Sequence, residues 1–503
     1  RFMDIASFTP TIAAMVGLGV GVDYALFIVT RYRESVHSGM SVNRSVAKSM
    51  DTSGRAVMFA GIVVVIAMLG LVAIGLPFIT AYAIAASLVI SLTIISALTL
   101  LPALLALTGK RIDKWGIKRF QVTAADVNDT VGAKLGRRIQ KTPWAFAICS
   151  AAFLMVLALP VFSVKLGFND AGANPPSTHT RRAYDLLEKG FGPGFNAPFL
   201  IAIEKSGGLD PAMLDTLETQ LKATEGVVFV APPTLNEAGD TAVITIIPAY
   251  RLTDSKAADL VDTIRDDILP PLTAGTGANA HVGGITASFI DVVEVMVSRT
   301  PYFFLIVVGL SFLLLATVFR SIAIAIKAAV MNLLSIGAAF GVIVAAFQWG
   351  WLKPVLGGSD GQPIIAFMPM FLFSILFGLS MDYEVFLLSR IREAWVHGKS
   401  TPDAVVEGLG VTARVITAAA AIMIVVFLSF VFIPDPITRQ FGVGLATAIF
   451  LDATIVRLIL VPATMELLGD WNWWFPSWLD RILPRINVEG SAHDVSLEGA
   501  AAD

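Results

Sequence analysis

The chain has 503 residues, 55% hydrophobic and only 15% charged, with a mean hydropathy of +0.74. Apolar runs long enough to cross a hydrocarbon layer of roughly 30 Å recur along it, the profile of a polytopic α-helical membrane protein. The net charge of −3 gives no support to a nucleic-acid partner, and a single cysteine, Cys149, rules out an intrachain disulfide and argues against a metal–thiolate cluster.

Nine segments read as membrane spans: about 11–30, 56–76, 80–108, 143–164, 301–319, 322–347, 364–388, 415–433 and 440–468. The third and the last exceed a single crossing, which tilt or extension beyond the bilayer absorbs. Basic residues cluster in alternate loops: Arg31, Arg33, Arg44, Lys48 and Arg55; nine Lys and Arg over 109–142; and Arg390, Arg392, Lys399 and Arg414. The intervening loops, Pro77–Thr80 and Pro434–Thr438, are short and nearly uncharged. Basic loops stay in the cytoplasm, so the N-terminus is expected outside and the C-terminus inside.

Residues 165–298 form the one large hydrophilic region and fall on the external side. Their pattern is strand (APFLIAIE), helix (MLDTLETQLKA), strand (GVVFVAP), strand (TAVITIIPAY), helix (KAADLVDTIRDDIL), strand (AHVGGIT). That order predicts a split-βαβ, ferredoxin-like α+β domain, with a helix from about Ala287 to Ser298 running on into the next span. The expected organisation is spans and loops over 1–142, a span over 143–164, the external domain over 165–298 and spans over 299–469. A Trp-rich interfacial tail over 470–503 follows, its last dozen residues disordered.

An internal repeat organises the spans. Shifting the sequence by 359 positions aligns Gly19 with Gly378, Asp23-Tyr24 with Asp382-Tyr383, Phe27 with Phe386, Arg31 with Arg390, Gly39 with Gly398 and Pro77 with Pro436. One further residue of slip aligns Pro102-Ala103 with Pro462-Ala463. Each copy carries three spans in the same order, a parallel repeat. The first copy lacks a counterpart of the three spans and domain between the copies, and the chain opens on Arg1. Its expected place is therefore the second part of a longer or divided chain with roughly 220 further residues upstream, giving twelve spans in all.

Two ionisable residues at matching places inside apolar spans are costly and point to a proton or ion relay. Asp23 lies eight residues before Arg31, about 12 Å along a helix, which puts it near the midplane; Asp382 and Arg390 share that spacing. A carboxylate at that depth must find a partner or a proton. The adjacent tyrosines suit reciprocal hydrogen bonds, Tyr383 to Asp23 and Tyr24 to Asp382, with Gly19 and Gly378 one turn away to let helices approach. A hydrogen-bonded aspartate that only fixes packing is the competing reading; duplication of the pair argues against it. Glu384, opposite Ala25 in the repeat, and Asp452 in the last span are auxiliary candidates. Asp452 and Arg457, five apart, are expected on different helix faces with partners elsewhere. Hydroxyls such as Thr417, Ser87 and Ser91 are expected to bond to their own helix carbonyls.

Other chemistry finds no footing. Gly398-Lys399-Ser400 lacks the first glycine and the strand of a phosphate loop, the five histidines have no ligand spacing, and no Gly-x-Ser-x-Gly elbow occurs. An enzyme or a metal site is not expected.

GVDYALFIVTRYRE, SMDYEVFLLSRIREAW and DATIVRLILVPATMELLG, in that order and on that topology, resemble the MMPL (mycobacterial membrane protein large) branch of the resistance-nodulation-division (RND) superfamily, from the first span to about Gly469. The resemblance implies an RND-type fold and export of lipids or other hydrophobic compounds across the bacterial inner membrane. It implies a proton gradient in place of a cofactor, and coupling at Asp23, Tyr24, Asp382 and Tyr383. The external domain, with a partner domain from a separately encoded N-terminal half, would form the passage. The alternatives are an inactive or partner-dependent fragment, or a SecDF-like proton-driven translocation aid.

Overall fold

The computed structural model describes Ala6 and residues 8–113, 129–356, 361–433 and 435–482; the side chains of Asp113, Asp382, Asp480 and Ile482 lie outside that description. Among the described residues nine helical segments are long and apolar enough to cross a membrane. The first three are α1 (Thr9–His37), then α2 (Val42–Ser49) running through a π turn into α3 (Arg55–Gly70), then α4 (Pro77–Thr108). Next come α5 (Val131–Lys141) and the fourth crossing, α6 (Pro143–Ala158).

The hydrophilic region begins with β1 (Leu166–Gly167) and α7 (His179–Phe191). Then follow β2 (Phe199–Lys205), α8 (Pro211–Ala223), β3 (Val227–Val230), β4 (Thr234–Leu235), β5 (Thr241–Pro248), α9 (Ser255–Asp262), α10 (Leu269–Thr273) and β6 (Ala278–Gly283). The main sheet has the order β3-β5-β2-β6, with each pair antiparallel. That is the split-βαβ arrangement. Alternation along β2 and β5 sends Phe199, Ile201, Ile203, Ala242, Ile244 and Ile246 to one face, where they pack on Leu214, Leu217, Leu221, Leu260 and Ile264.

From this sheet the chain enters α11 (Gly284–Phe319), a single 36-residue helix. At 1.5 Å per residue it is about 54 Å long, so its first turns belong to the domain and its last to the bundle. The remaining elements are α12 (Ile322–Ile343), α13 (Lys353–Leu356), β7 (Ile364–Ile365), α14 (Met368–Val396), α15 (Thr401–Ser429) and α16 (Pro436–Leu451). A π-helical stretch, Asp452–Leu460, joins α16 to α17 (Val461–Leu468), and α18 (Ser477–Ile482) follows.

The repeat is visible in the helix ends. Pro10 and Pro77 in the first copy, and Pro369 and Pro436 in the second, occupy first turns, where no intrahelical N–H is lost. Gly39 and Gly398, both at φ 90°, close α1 and α14 in the left-handed region that a side chain would strain. Phe27 and Phe386, repeat mates, meet edge-on at 4.9 Å, so the pseudo-twofold relation passes between them.

The sequence reading lacks α7, capped by Thr178 ahead of the first predicted strand, and two further features. α5 lies where a loop is expected; Thr130 caps it, and Gly132 and Gly136 let it pack closely on Leu409 and Val406. β1 pairs in parallel with β7, Leu166 opposite Ile364 and Gly167 opposite Ile365. Two-residue strands carry no periodicity for sequence to show. The C-terminal tail beyond Ile482 lies outside the described residues.

Candidate functional site

The centre of the bundle is α14, buried along nearly its whole length between α3, α15 and α16. Asp23 on α1 is fully buried, and the Tyr383 hydroxyl on α14 donates to its Oδ1 at 2.6 Å. Asp23 Oδ2 has no hydrogen-bond partner among the described residues. The Tyr24 ring is also buried, its hydroxyl directed at Gly61 of α3: a Cβ there would lie 3.3 Å from it. The Asp382 side chain, and with it the other half of the expected reciprocal pairing, lies outside the described residues.

Gly19 and Gly378 sit where helices touch. A Cβ on Gly19 would come within 2.5 Å of the Phe427 ring on α15; one on Gly378 would meet the Val64 side chain at 2.8 Å and its Cα at 3.0 Å on α3. Each aspartate helix thus packs on the second span of the opposite copy rather than on its own mate at these glycines.

Next to Tyr383 lies a network that sequence reasoning only partly located. Arg457, buried, holds its guanidinium carbon 5.5 Å from the Tyr383 ring centroid and donates from Nε to Asp452 Oδ2 at 2.7 Å. The expectation that these two residues face apart is corrected here. Asp452–Leu460 is π-helical, with its backbone bonds reaching the fifth residue, and the wider turn brings positions five apart nearly into register. Arg457 Nη2 also donates to the Ser380 carbonyl and, at 2.8 Å, to the Ser380 hydroxyl. That hydroxyl is 2.7 Å from Asn332 Oδ1 and 3.1 Å from Asp452 Oδ1. A cavity of about 20 Å³ lined by Asn332, Ser380, Tyr383 and Asp452 has room for about one water.

Glu384 is buried and interacts electrostatically with Arg457, Lys327 and Asp452. Lys327 on α12 is likewise buried, and neither its Nζ nor Glu384 Oε1 has a hydrogen-bond partner among the described residues. Lys327 is the residue sequence reasoning should have found: a lone cation in IAIAIKAAVMNLLSIGAAFGVI carries the same signal as a carboxylate in a span. Asn332 and Ser380 had no comparable signal. Thr417 and Ser91 donate to carbonyls of their own helices, at 2.9 Å and 2.7 Å, whereas the buried Ser87 hydroxyl, against expectation, has no hydrogen-bond partner among the described residues. Among the described residues no cluster of His, Cys, Asp and Glu is fit to hold a metal.

Among the described residues, nine crossing helices, a split-βαβ domain and buried ionisable groups at the bundle centre make up this fold. The model of the MMPL family matches residues 1–145 and 183–486. The chain belongs to the MMPL family. It is similar to the membrane protein YdfJ of Bacillus subtilis, 36% identical over 97% of this chain and 67% of that protein. It is also similar to the mycolic acid-containing lipids exporter MmpL11 of Mycolicibacterium smegmatis, 35% identical over 97% of this chain and 52% of that one. The chain therefore spans about two thirds of the first relative and about half of the second. Among solved structures, the translocon-associated SecDF of Thermus thermophilus superposes with a TM-score of 0.51, 13% identity, 91% of this chain and 54% of that one. That likeness places this MMPL chain in the RND-type fold and says nothing more.

Proposed function

We propose that this MMPL chain exports lipids or other hydrophobic compounds across the bacterial inner membrane, driven by protons that pass through Asp23, Tyr24, Asp382 and Tyr383. Glu384, Lys327, Asp452 and Arg457 act as auxiliary groups. The observation that carries the reading is the buried hydrogen bond between Tyr383 and Asp23, which joins the two copies of the repeat within reach of the Arg457 charge. The lipid named for MmpL11 of M. smegmatis supports a hydrophobic cargo. Basic loops set the orientation, with the 165–298 domain outside and the C-terminus inside.

A proton taken up by Asp23 removes the charge that Tyr383 serves and releases α1 from α14. One charge falling through 100 mV yields about 2.3 kcal/mol, enough to bias two packings that differ by a few kcal/mol. The displacement reaches the domain by two covalently short routes. One is α11, continuous from sheet to bundle; the other is the β1–β7 pair, which ties the base of the domain to the segment entering α14. Gln440 on α16 secures that segment, accepting from Ile365 N at 3.2 Å and donating to the Pro363 carbonyl at 3.3 Å. A separately supplied N-terminal half with its own three spans and domain completes the passage.

The test is efflux of a fluorescent lipid from proteoliposomes under an imposed pH gradient, using the chain together with its preceding half. Gradient-driven efflux that disappears in Asp23→Asn and Asp382→Asn is the expected result. Efflux that survives both substitutions, or runs equally without a gradient, overturns the reading.

A further inference from the structure

The helices α3 and α11 touch near the domain end of the bundle and part toward the other end. At the closed end Arg299 donates to the Ile74 carbonyl, and a Cβ on Gly70 would lie 3.0 Å from Val307. Beyond it the two helices enclose an open-sided groove of about 300 Å³, walled by Phe59, Val63, Ile66, Val307, Leu310 and Leu314. From Ala67 to Phe59 the groove runs eight residues, about 12 Å, close to the roughly 15 Å depth of one leaflet. The groove lies wholly within segments long and apolar enough to cross a membrane.

Its far mouth is basic. Arg55 heads α3, Arg320 ends α11 in a left-handed conformation, and Arg392 donates to the Val318 carbonyl at 3.2 Å. Arg55 is paired with Asp51, whereas the acceptor of Arg392 is a neutral carbonyl. An apolar wedge of one-leaflet depth that ends at guanidinium groups is complementary to an acyl chain below an anionic headgroup, and basic pockets between spanning helices bind such lipids.

We propose that the α3–α11 groove is a binding site for an anionic phospholipid, one acyl chain lying along Phe59, Val63 and Leu310 and its phosphate meeting Arg392. The assignment is independent of the export cargo; only the statement that this lipid belongs to the cytoplasmic leaflet rests on the orientation proposed above. A lipid held there wedges α11 away from α3 on the side opposite the domain.

Native mass spectrometry of the chain released from nanodiscs of phosphatidylcholine with a minority of phosphatidylglycerol tests it. The native chain is expected to retain one phosphatidylglycerol in preference to phosphatidylcholine. Leu310→Trp, a half-exposed position on the groove wall, fills the wedge and should lower that retention roughly tenfold. Arg392→Gln should lower the preference for phosphatidylglycerol about fivefold and leave phosphatidylcholine unchanged. Leu92→Trp, more exposed than Leu310 and on α4 away from the groove, should retain lipid as the native chain does. Should Leu310→Trp fail to fold, Leu313→Trp, more exposed on the same wall, takes its place. Equal retention of the two lipids by the native chain, equal loss in Leu92→Trp, or full retention in the groove-filling variants each overturns the site.

Discussion

The two copies of the repeat share a frame and differ in what they hold. Both carry Asp-Tyr on the first helix, an opening proline and a closing left-handed glycine. In the second copy the third helix brings buried Asp452 and Arg457 to the centre; the matching stretch of the first, Leu92–Leu98, holds no charged residue. Glu384 likewise faces Ala25 across the repeat. A duplicated fold thus keeps its backbone punctuation while its ionic chemistry concentrates on one side. The shared part is the Asp-Tyr pair and the packing, which both copies need; the unshared part is the Asp452–Arg457 ion pair and Glu384, costly to bury and kept once.

That contrast breaks most sharply at Arg457. Arg457→Ala leaves Asp452 buried without its cation and should cost about 3–5 kcal/mol, read as a large fall in the melting temperature of the detergent-purified protein together with loss of efflux. Thr93→Ala and Ala97→Ser, within the matching stretch, should each leave melting and efflux near native. Equal damage in both copies would mean that the asymmetry is incidental. The next effect is at the glycines. Gly378→Ala drives a methyl against the Cα of Val64 and should cost about 1–3 kcal/mol, because a helix backbone must move. Gly19→Ala meets only the ring of Phe427 and should shift the melt less.

How much of this was legible before the structure depends on what kind of signal each part leaves. Long apolar runs and the strand–helix order of residues 199–283 are periodic, so the spans, the ferredoxin-like sheet and the unbroken α11 could be read off the chain. The Asp-Tyr positions were legible because a carboxylate in a span stands out. The Asp452–Arg457 pair was misread for a physical reason: the i, i+5 rule holds for an α-helix, and nothing in DATIVRLIL announces a π-helix. Ser380 and Asn332 are ordinary polar residues until folding places them beside Arg457. Only Lys327 was within reach and overlooked.

A smaller effect separates the two tyrosines. Tyr383→Phe removes the bond to Asp23 and should cost roughly 0.6–1.7 kcal/mol of stability, the range for hydrogen bonds between spanning helices. If the bond serves coupling, efflux should fall far more than that figure alone implies. Efflux that falls only in step with stability would reduce Tyr383 to a packing role.

The smallest expected change in stability lies outside the membrane, where Arg265 grips Asp291 of α11 through two hydrogen bonds of 2.6 Å and 3.0 Å. The pair is partly exposed, so Arg265→Gln should cost at most about 1 kcal/mol. It also joins the helix layer of the domain to the first turns of the helix that enters the bundle. Motion carried along α11 has to act on the domain through contacts of this kind, and Phe168 stacked on Phe289 at 4.5 Å is the apolar one beside it. Loosening Arg265 should therefore lower efflux several-fold with almost no change in melting, and the exchange Arg265→Asp with Asp291→Arg should recover part of the loss. Efflux unchanged by Arg265→Gln would assign the transmission to the β1–β7 tie instead, and with it the pull on the domain to α14 rather than to α11.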